Sequence, residues 1–218
     1  IYAFWRSILY YTDAFIDKIR NTPLSIDEWY TQRQIQQNKQ NVDLFDLGFS
    51  TFFLNRTNRS GVLKAGVIGG LQQIGTYKID ARYNKEQLIE RIQLIAQFKD
   101  KFILHNEDAI NLLRRYRNIA RKNLIYLDPP YYIKGRELYV NFFKEADHIA
   151  LSQAIQQRDN MNWIITYDNH AFIHNLYPNA KSLSYALPYS AGTNKHGVEL
   201  LFSKQDIIIP ENLLPSLV

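Results

Sequence analysis

Asp128, Pro129, Pro130 and Tyr131 stand together at the end of a short apolar run, Leu124-Ile125-Tyr126-Leu127, and a second tyrosine, Tyr132, comes directly after them. Such a run, halted by an acid and two prolines, reads as a buried strand with a rigid turn at its carboxyl end. That is the edge at which open α/β sheets bind ligands. The chemistry these residues suit is narrow. An exocyclic amine on a nucleobase is a poor nucleophile because its lone pair is delocalised into the ring, so a catalyst must hold the hydrogens with acceptors and leave the lone pair free. Asp128 supplies one acceptor and the Pro129 carbonyl a second, in a preset geometry, because the prolines fix φ and bring no N–H of their own. Tyr131 adds a flat surface on which a base taken out of its stack can lie, a task for the ring rather than the hydroxyl. The plainer alternative is a turn after a strand, with Tyr131 covering the core.

The elements that must position this turn are legible around it. Three strand-like runs end in polar residues: Phe102-Ile103-Leu104 before His105-Asn106-Glu107-Asp108, Leu124 to Leu127 before Asp128, and Trp163 to Tyr167 before Asp168-Asn169. Helical stretches at Ala109 to Asn118 and Asp147 to Arg158 separate them, and strand-helix alternation implies a parallel sheet with all three polar ends on one edge. Lys181 to Leu187 and Gly197 to Ser203, joined by a polar loop, read as a terminal strand pair. Upstream, Tyr2 to Ile19 has the apolar spacing of one amphipathic helix ending before Pro23, Asp27 to Gln40 reads as a polar helix, and Glu86 to Phe98 as another amphipathic one. Residues 45–85 hold five of the nine glycines between Gly61 and Gly75 and read as loop and hairpin, a module apart from residues 1–44 and 86–218.

Charge and composition narrow the function classes. At 218 residues and 46% hydrophobic content, the chain can bury a substantial core. No apolar run approaches the length of a membrane span, and the expectation is a cytoplasmic protein. With no cysteine, disulfides and thiolate metal sites are excluded, as are methyl transferases that activate cytosine C5 through a cysteine. From Asn55 to Lys85 six basic residues face the single acid Asp80, a net +5 that equals the charge of the whole chain. Basic segments interleaved with Asn, Ser, Thr and Tyr suit phosphate anchoring with contacts to base edges. A second basic run, Arg114, Arg115, Arg117, Arg121 and Lys122, reads as a solvated helix face. His170 and His174, four apart, lack the glutamate of a zinc-protease motif, and no metal site is expected.

Asp-Pro-Pro-Tyr resembles the catalytic motif of the Dam-like adenine-specific DNA methyltransferases. Ile1 to Leu9 resembles the helix after the second cofactor loop of that family, Phe53 to Gly61 its DNA-contacting segment, and Glu199 to Lys204 its last strand. The resemblance implies a Rossmann-like methyltransferase sheet with an inserted DNA-recognition module, S-adenosylmethionine as methyl donor, and double-stranded DNA as partner, near the nucleoid and with a cognate restriction enzyme as a further partner. It implies that Asp128, Pro129, Pro130 and Tyr131 are catalytic, and that Asp108, with Asn106 or Glu107, meets the adenine of the donor. Asp108 is equally placed to cap the helix beginning at Ala109. On the DNA side it places Asn55, Arg56 and Asn58 in the contacting segment, Arg59 and Ser60 at a tip inserted into the duplex, Lys64 as a base reader, and Lys78 and Arg82 among the basic contacts. The Gly-rich loop on which the family holds its donor has no counterpart in the sequence, so the chain is expected to be the C-terminal part of a longer protein, inactive by itself. Cytosine-N4 methylation, and a DNA-binding specificity fragment without catalysis, remain as alternatives.

Overall fold

A computed structural model describes residues 1–116, 123–133, 143–157, 161–188 and 196–210. The chain divides into two compact units, Ile1–Asn106 and Glu107–Val218, each with its own hydrophobic core.

Among its described residues the first unit is helical, with α1 (Tyr2–Tyr10), α2 (Thr12–Asn21), α3 (Ile26–Gln37), α4 (Leu44–Thr57) and α5 (Lys85–Ala96). The expected single helix over Tyr2 to Ile19 is two, broken at Tyr11, whose backbone leaves the helical region at φ −132°. The Thr12 hydroxyl donates to the Ile8 carbonyl at 2.8 Å and competes for it with the backbone. The apolar spacing runs through the break because both pieces turn Ile8, Leu9, Phe15, Ile16 and Ile19 into one core. Ser25 caps α3 by accepting from the Glu28 N–H, and Asn84 caps α5 by accepting from that of Gln87.

The largest departure from expectation is α4, which takes up the first third of the segment read as loop and hairpin. Asp43 caps it, accepting from Phe45 and Asp46. Phe49, Phe52, Phe53 and Leu54 are buried, and a helix enclosed on nearly every side has no polar face to reveal its period. Gly48, which looks like a helix breaker, is required by packing: a Cβ there would lie 2.6 Å from the Ala3 carbonyl oxygen and from Ser7 Oγ, so α1 and α4 approach at this point. From Asn58 to Asn84 the chain is loop apart from a 3-10 turn at Arg59–Gly61, with one antiparallel bridge, Asn58 to Val67, in place of a hairpin.

The second unit is a mixed α/β layer, with α6 (Ala109–Arg115), α7 (Glu145–Gln156) and α8 (Ala171–Leu176) beside a sheet of β1 (Leu124–Leu127), β2 (Asn162–Asp168), β3 (Lys181–Pro188) and β4 (His196–Ser203). The strand order is β1-β2-β4-β3; β1 and β2 are parallel, and β4 is antiparallel to both its neighbours. Trp163, Ile165, Tyr167, Leu200 and Phe202 from β2 and β4 form the core with Leu113, Leu151 and Ile155 from the helices. The pairing of β1 with β2 and the terminal strand pair match the sequence reading, but β1, read as buried, leaves Leu124 and Tyr126 exposed. The run Phe102-Ile103-Leu104 departs from that reading: no described strand pairs with it, Ile103 is 79% exposed, and Leu104 packs on the helical core of the first unit. Three apolar residues suffice for a pattern but not for a ladder. No helix among the described residues is long and apolar enough to cross a membrane.

Candidate active site

Since β1 and β2 are parallel, Asp128 just past β1 and Asp168 at the end of β2 come to one edge of the sheet. Asp128 is exposed, and its Oδ1 accepts from Thr166 Oγ1 at 3.1 Å, while Tyr126 lies with its hydroxyl 3.0 Å from the same Thr166 oxygen. With the Thr166 hydroxyl donating to Asp128, the Tyr126 hydroxyl donates to Thr166 Oγ1, a chain that orients the carboxylate from β1 and β2 together. Pro129 is buried and Pro130 half-buried, so the turn is seated by its rings.

The segment beyond the prolines is tied down by two buried acids that the motif alone does not mark. Asp168, 5% exposed, accepts from the backbone N–H of Tyr132 at 2.8 Å and of Ile133 at 2.7 Å, one on each carboxylate oxygen. Glu199 on β4, 4% exposed, accepts the hydroxyls of Tyr131 at 2.9 Å and Tyr185 at 3.0 Å. Burial, and then the bond to Glu199, push the Tyr131 hydroxyl far above its ordinary range, so it donates at every working pH. Tyr132 turns the other way: its ring stacks on Phe172 at 4.8 Å and lies 4.5 Å from that of His170, and its hydroxyl donates to Glu145 at 2.6 Å. Beneath it His148 is wholly buried, with Nδ1 3.1 Å from the Tyr167 hydroxyl, and burial lowers its pKa. Glu199 was visible in the sequence only as part of a strand, and Thr166 not at all as a site residue.

Two of the residues expected to meet a cofactor, Asp108 and Glu107, have structural partners. Asp108 caps α6, its Oδ1 accepting from Ile110 and Asn111, and Glu107 pairs with Arg115 at 2.6 Å. Asn106 is exposed at the end of the first unit. His170 caps α8, accepting from the Phe172 N–H, and His174 Nε2 lies 3.3 Å from Asn169 Oδ1. Among the described residues no group of three or more His, Cys, Asp and Glu could hold a metal ion.

In the first unit the basic segment separates into exposed and engaged residues. Arg56 and Arg82 line one open cavity with Arg91 of α5, which the sequence reading did not single out. Burial, and then the neighbouring charges of Arg82 and Arg91, lower the Arg56 pKa. Lys64 and Lys78 are exposed. Asn58, grouped with the DNA-contacting residues, is instead wholly buried: it accepts from the Trp29 indole at 2.6 Å and donates to the Val62 and Leu63 carbonyls at 3.0 Å each. Its amide fixes the loop and has no face for a partner. Asn55 donates to the Gly61 carbonyl at 3.0 Å. The Arg59 guanidinium lies against Gly66, where a Cβ would be 3.0 Å from Nη2, and Ser60 is exposed at φ 54°. Lys85 donates to the Arg20 and Thr22 carbonyls at the end of α2. Arg117, Arg121 and Lys122 of the second basic run lie outside the described residues.

Fold and site define an α/β protein whose polar centre stands at the carboxyl edge of parallel strands. The model of the D12 class N6 adenine-specific DNA methyltransferases matches residues 1–189, and the chain belongs to that family. Among curated proteins nothing matches it.

Proposed function

We propose that this protein transfers a methyl group from S-adenosylmethionine to the N6 amine of an adenine turned out of duplex DNA. The observation that carries the reading is Asp128: an exposed carboxylate, oriented through Thr166, on a turn whose next residue but two is a tyrosine held by its hydroxyl. Asp128 accepts one hydrogen of the target amine and the Pro129 carbonyl the other, which leaves the nitrogen lone pair free to attack. Pro130 sets the turn, and the Tyr131 ring lies against the face of the base. When bound, the donor supplies an electrophilic methyl group. The fit of this chain to it is partial: Asp108, one oxygen of which is committed to its helix cap, offers an acceptor to the adenine amine of the donor beside Asn106 and Glu107, and Asp128 stands at the reacting end.

DNA is gripped in this reading by Arg56, Arg82 and Arg91 on phosphates, with Lys64 and Lys78 as further contacts and Arg59 with Ser60 at the surface nearest the bases. Asn55 supports that loop from within. The test is to incubate the full-length enzyme with methyl-labelled S-adenosylmethionine and duplex DNA and to identify the product nucleoside. N6-methyladenine is expected. N4-methylcytosine would transfer the same turn chemistry to the amine of cytosine, and DNA binding without label would reduce the protein to a specificity module.

A further inference from the structure

Tyr185, Glu199 and Asp168 are directly paired across β3, β4 and β2. Directly opposed residues of neighbouring strands present their side chains on the same face of a sheet. The two acids are buried side by side at this edge, and both are spent on the loop after Asp128: Asp168 on the main chain at Tyr132 and Ile133, Glu199 on the hydroxyl of Tyr131. Burying a carboxylate is costly unless its charge is compensated by hydrogen bonds. Stacking a base against Tyr131 requires only a ring, which phenylalanine would supply without a buried acid.

We propose that Glu199 is a positioning residue for the reaction: by accepting the Tyr131 hydroxyl it sets the tilt of the ring that meets the target base, and Tyr185 holds the carboxylate in place for that task. The inference rests on the proposed function and assigns the Tyr131 hydroxyl a share of the turnover that a pure stacking role would not give it. In this reading Glu199 acts on the base only through Tyr131. Its effect passes through one bond, so removing either end of that bond should have the same consequence, and removing both should add nothing.

The experiment is a double-mutant cycle in the full-length enzyme, with kcat and KM for DNA measured separately. Tyr131→Phe, which removes the bond, should lower kcat by about tenfold to a hundredfold, the range spanned by a hydrogen bond to a charged group realised at the reacting centre, and Glu199→Gln, which keeps an acceptor oxygen but loses its charge, should lower kcat in the same direction by less. KM for DNA should change little, and the double variant should be no slower than the slower single one. Tyr185→Phe, which loosens the carboxylate but leaves the Tyr131 bond, should lower kcat in the same direction by less than Tyr131→Phe does, and a larger loss would overturn the proposal. Wild-type kcat in Tyr131→Phe, or single effects that multiply in the double variant, would overturn the proposal. Tyr131→Phe is the decisive arm if Glu199→Gln does not fold, because it removes a single oxygen. Should the wild-type enzyme transfer no methyl group to DNA, the reading of function fails on its own account. The bond is then judged by 3-fluorotyrosine at position 131, whose fluorine resonance must shift between wild type and Glu199→Gln; an unmoved resonance overturns the inference.

Discussion

Asp168→Asn is the substitution whose effect can be worked most fully from the geometry. The native carboxylate gives one oxygen to the N–H of Tyr132 and the other to that of Ile133, and it is 5% exposed. Asparagine keeps one oxygen and turns an amide NH₂ toward the remaining N–H, so one bond is lost and a donor faces a donor where little water can intervene. A hydrogen bond to a charged group contributes about 1.5–3 kcal/mol, and leaving a buried donor unsatisfied costs about 1–3 kcal/mol. With the loop free to relax, the loss should be about 2–4 kcal/mol. For a urea dependence of about 2 kcal/mol per molar, the unfolding midpoint should fall by about 1–2 M. The same shift releases the main chain directly after Tyr131. A misplacement of about 1 Å at a reacting centre costs on the order of a hundredfold in rate, so turnover should fall with the midpoint. Urea titration monitored by tryptophan fluorescence reads the first effect, since Trp163 lies in the core of this unit, and labelled methyl transfer reads the second. An Asp168→Asn enzyme with unchanged midpoint and turnover would refute the claim that this carboxylate moors the loop.

The DNA interface, the helical packing and a buried histidine each give a further expected outcome. Removing Arg56 and Arg82 by alanine substitution should weaken duplex DNA binding and lower the steepness of its logarithmic salt dependence by about two, close to one for each phosphate released; an unchanged slope would take the arginine-lined cavity out of the DNA interface. Gly48→Ala should destabilise the helical unit by about 1–3 kcal/mol, because the added methyl meets the Ala3 carbonyl at 2.6 Å, and a wild-type melting temperature would contradict the close approach of α1 and α4. Burial holds His148 below its ordinary value of 6.5, against the opposing pull of Asp168, Asp147 and Glu145. Below about pH 6.5 the unfolded chain therefore takes up a proton that the folded chain resists, so stability should be constant above that pH and fall as the pH drops toward 5. His148→Phe should flatten that decline, and an unaltered slope in calorimetric melts from about pH 8 to 5 would assign the decline to other groups.

The turn at Asp128 was legible because prolines and an acid after a β-prone run have few other uses, and the parallel pairing of β1 with β2 could be read from the helix between them. The acids that hold the turn were not legible as such. The parallel reading put Asp168 on the same sheet edge as Asp128, 40 residues upstream, but not its bonds to the main chain of the loop, and Glu199, 68 residues beyond Tyr131, is brought to that tyrosine only by the strand pairing. Sequence periodicity failed at α4 for a physical reason: a helix packed on most of its circumference is apolar all round, and its glycine marks contact rather than a turn. Asn58 misled in the opposite direction. A polar residue in a basic loop reads as a partner contact, yet the Trp29 indole and two carbonyls consume its amide. At Asp108 one reading was decided, since the helix cap forms, and the other keeps its place as a proposal.

The central claim is that Asp128 holds the target amine and does not hold the fold. Its carboxylate is exposed and takes one described hydrogen bond, from Thr166, so Asp128→Ala should leave the melting temperature and DNA affinity close to those of the wild type. Single-turnover methyl transfer from labelled S-adenosylmethionine to duplex DNA should then slow by at least about a hundredfold, the scale of losing a preorganised polar contact at the reacting centre. A folded Asp128→Ala enzyme that methylates adenine at the wild-type rate would contradict the account.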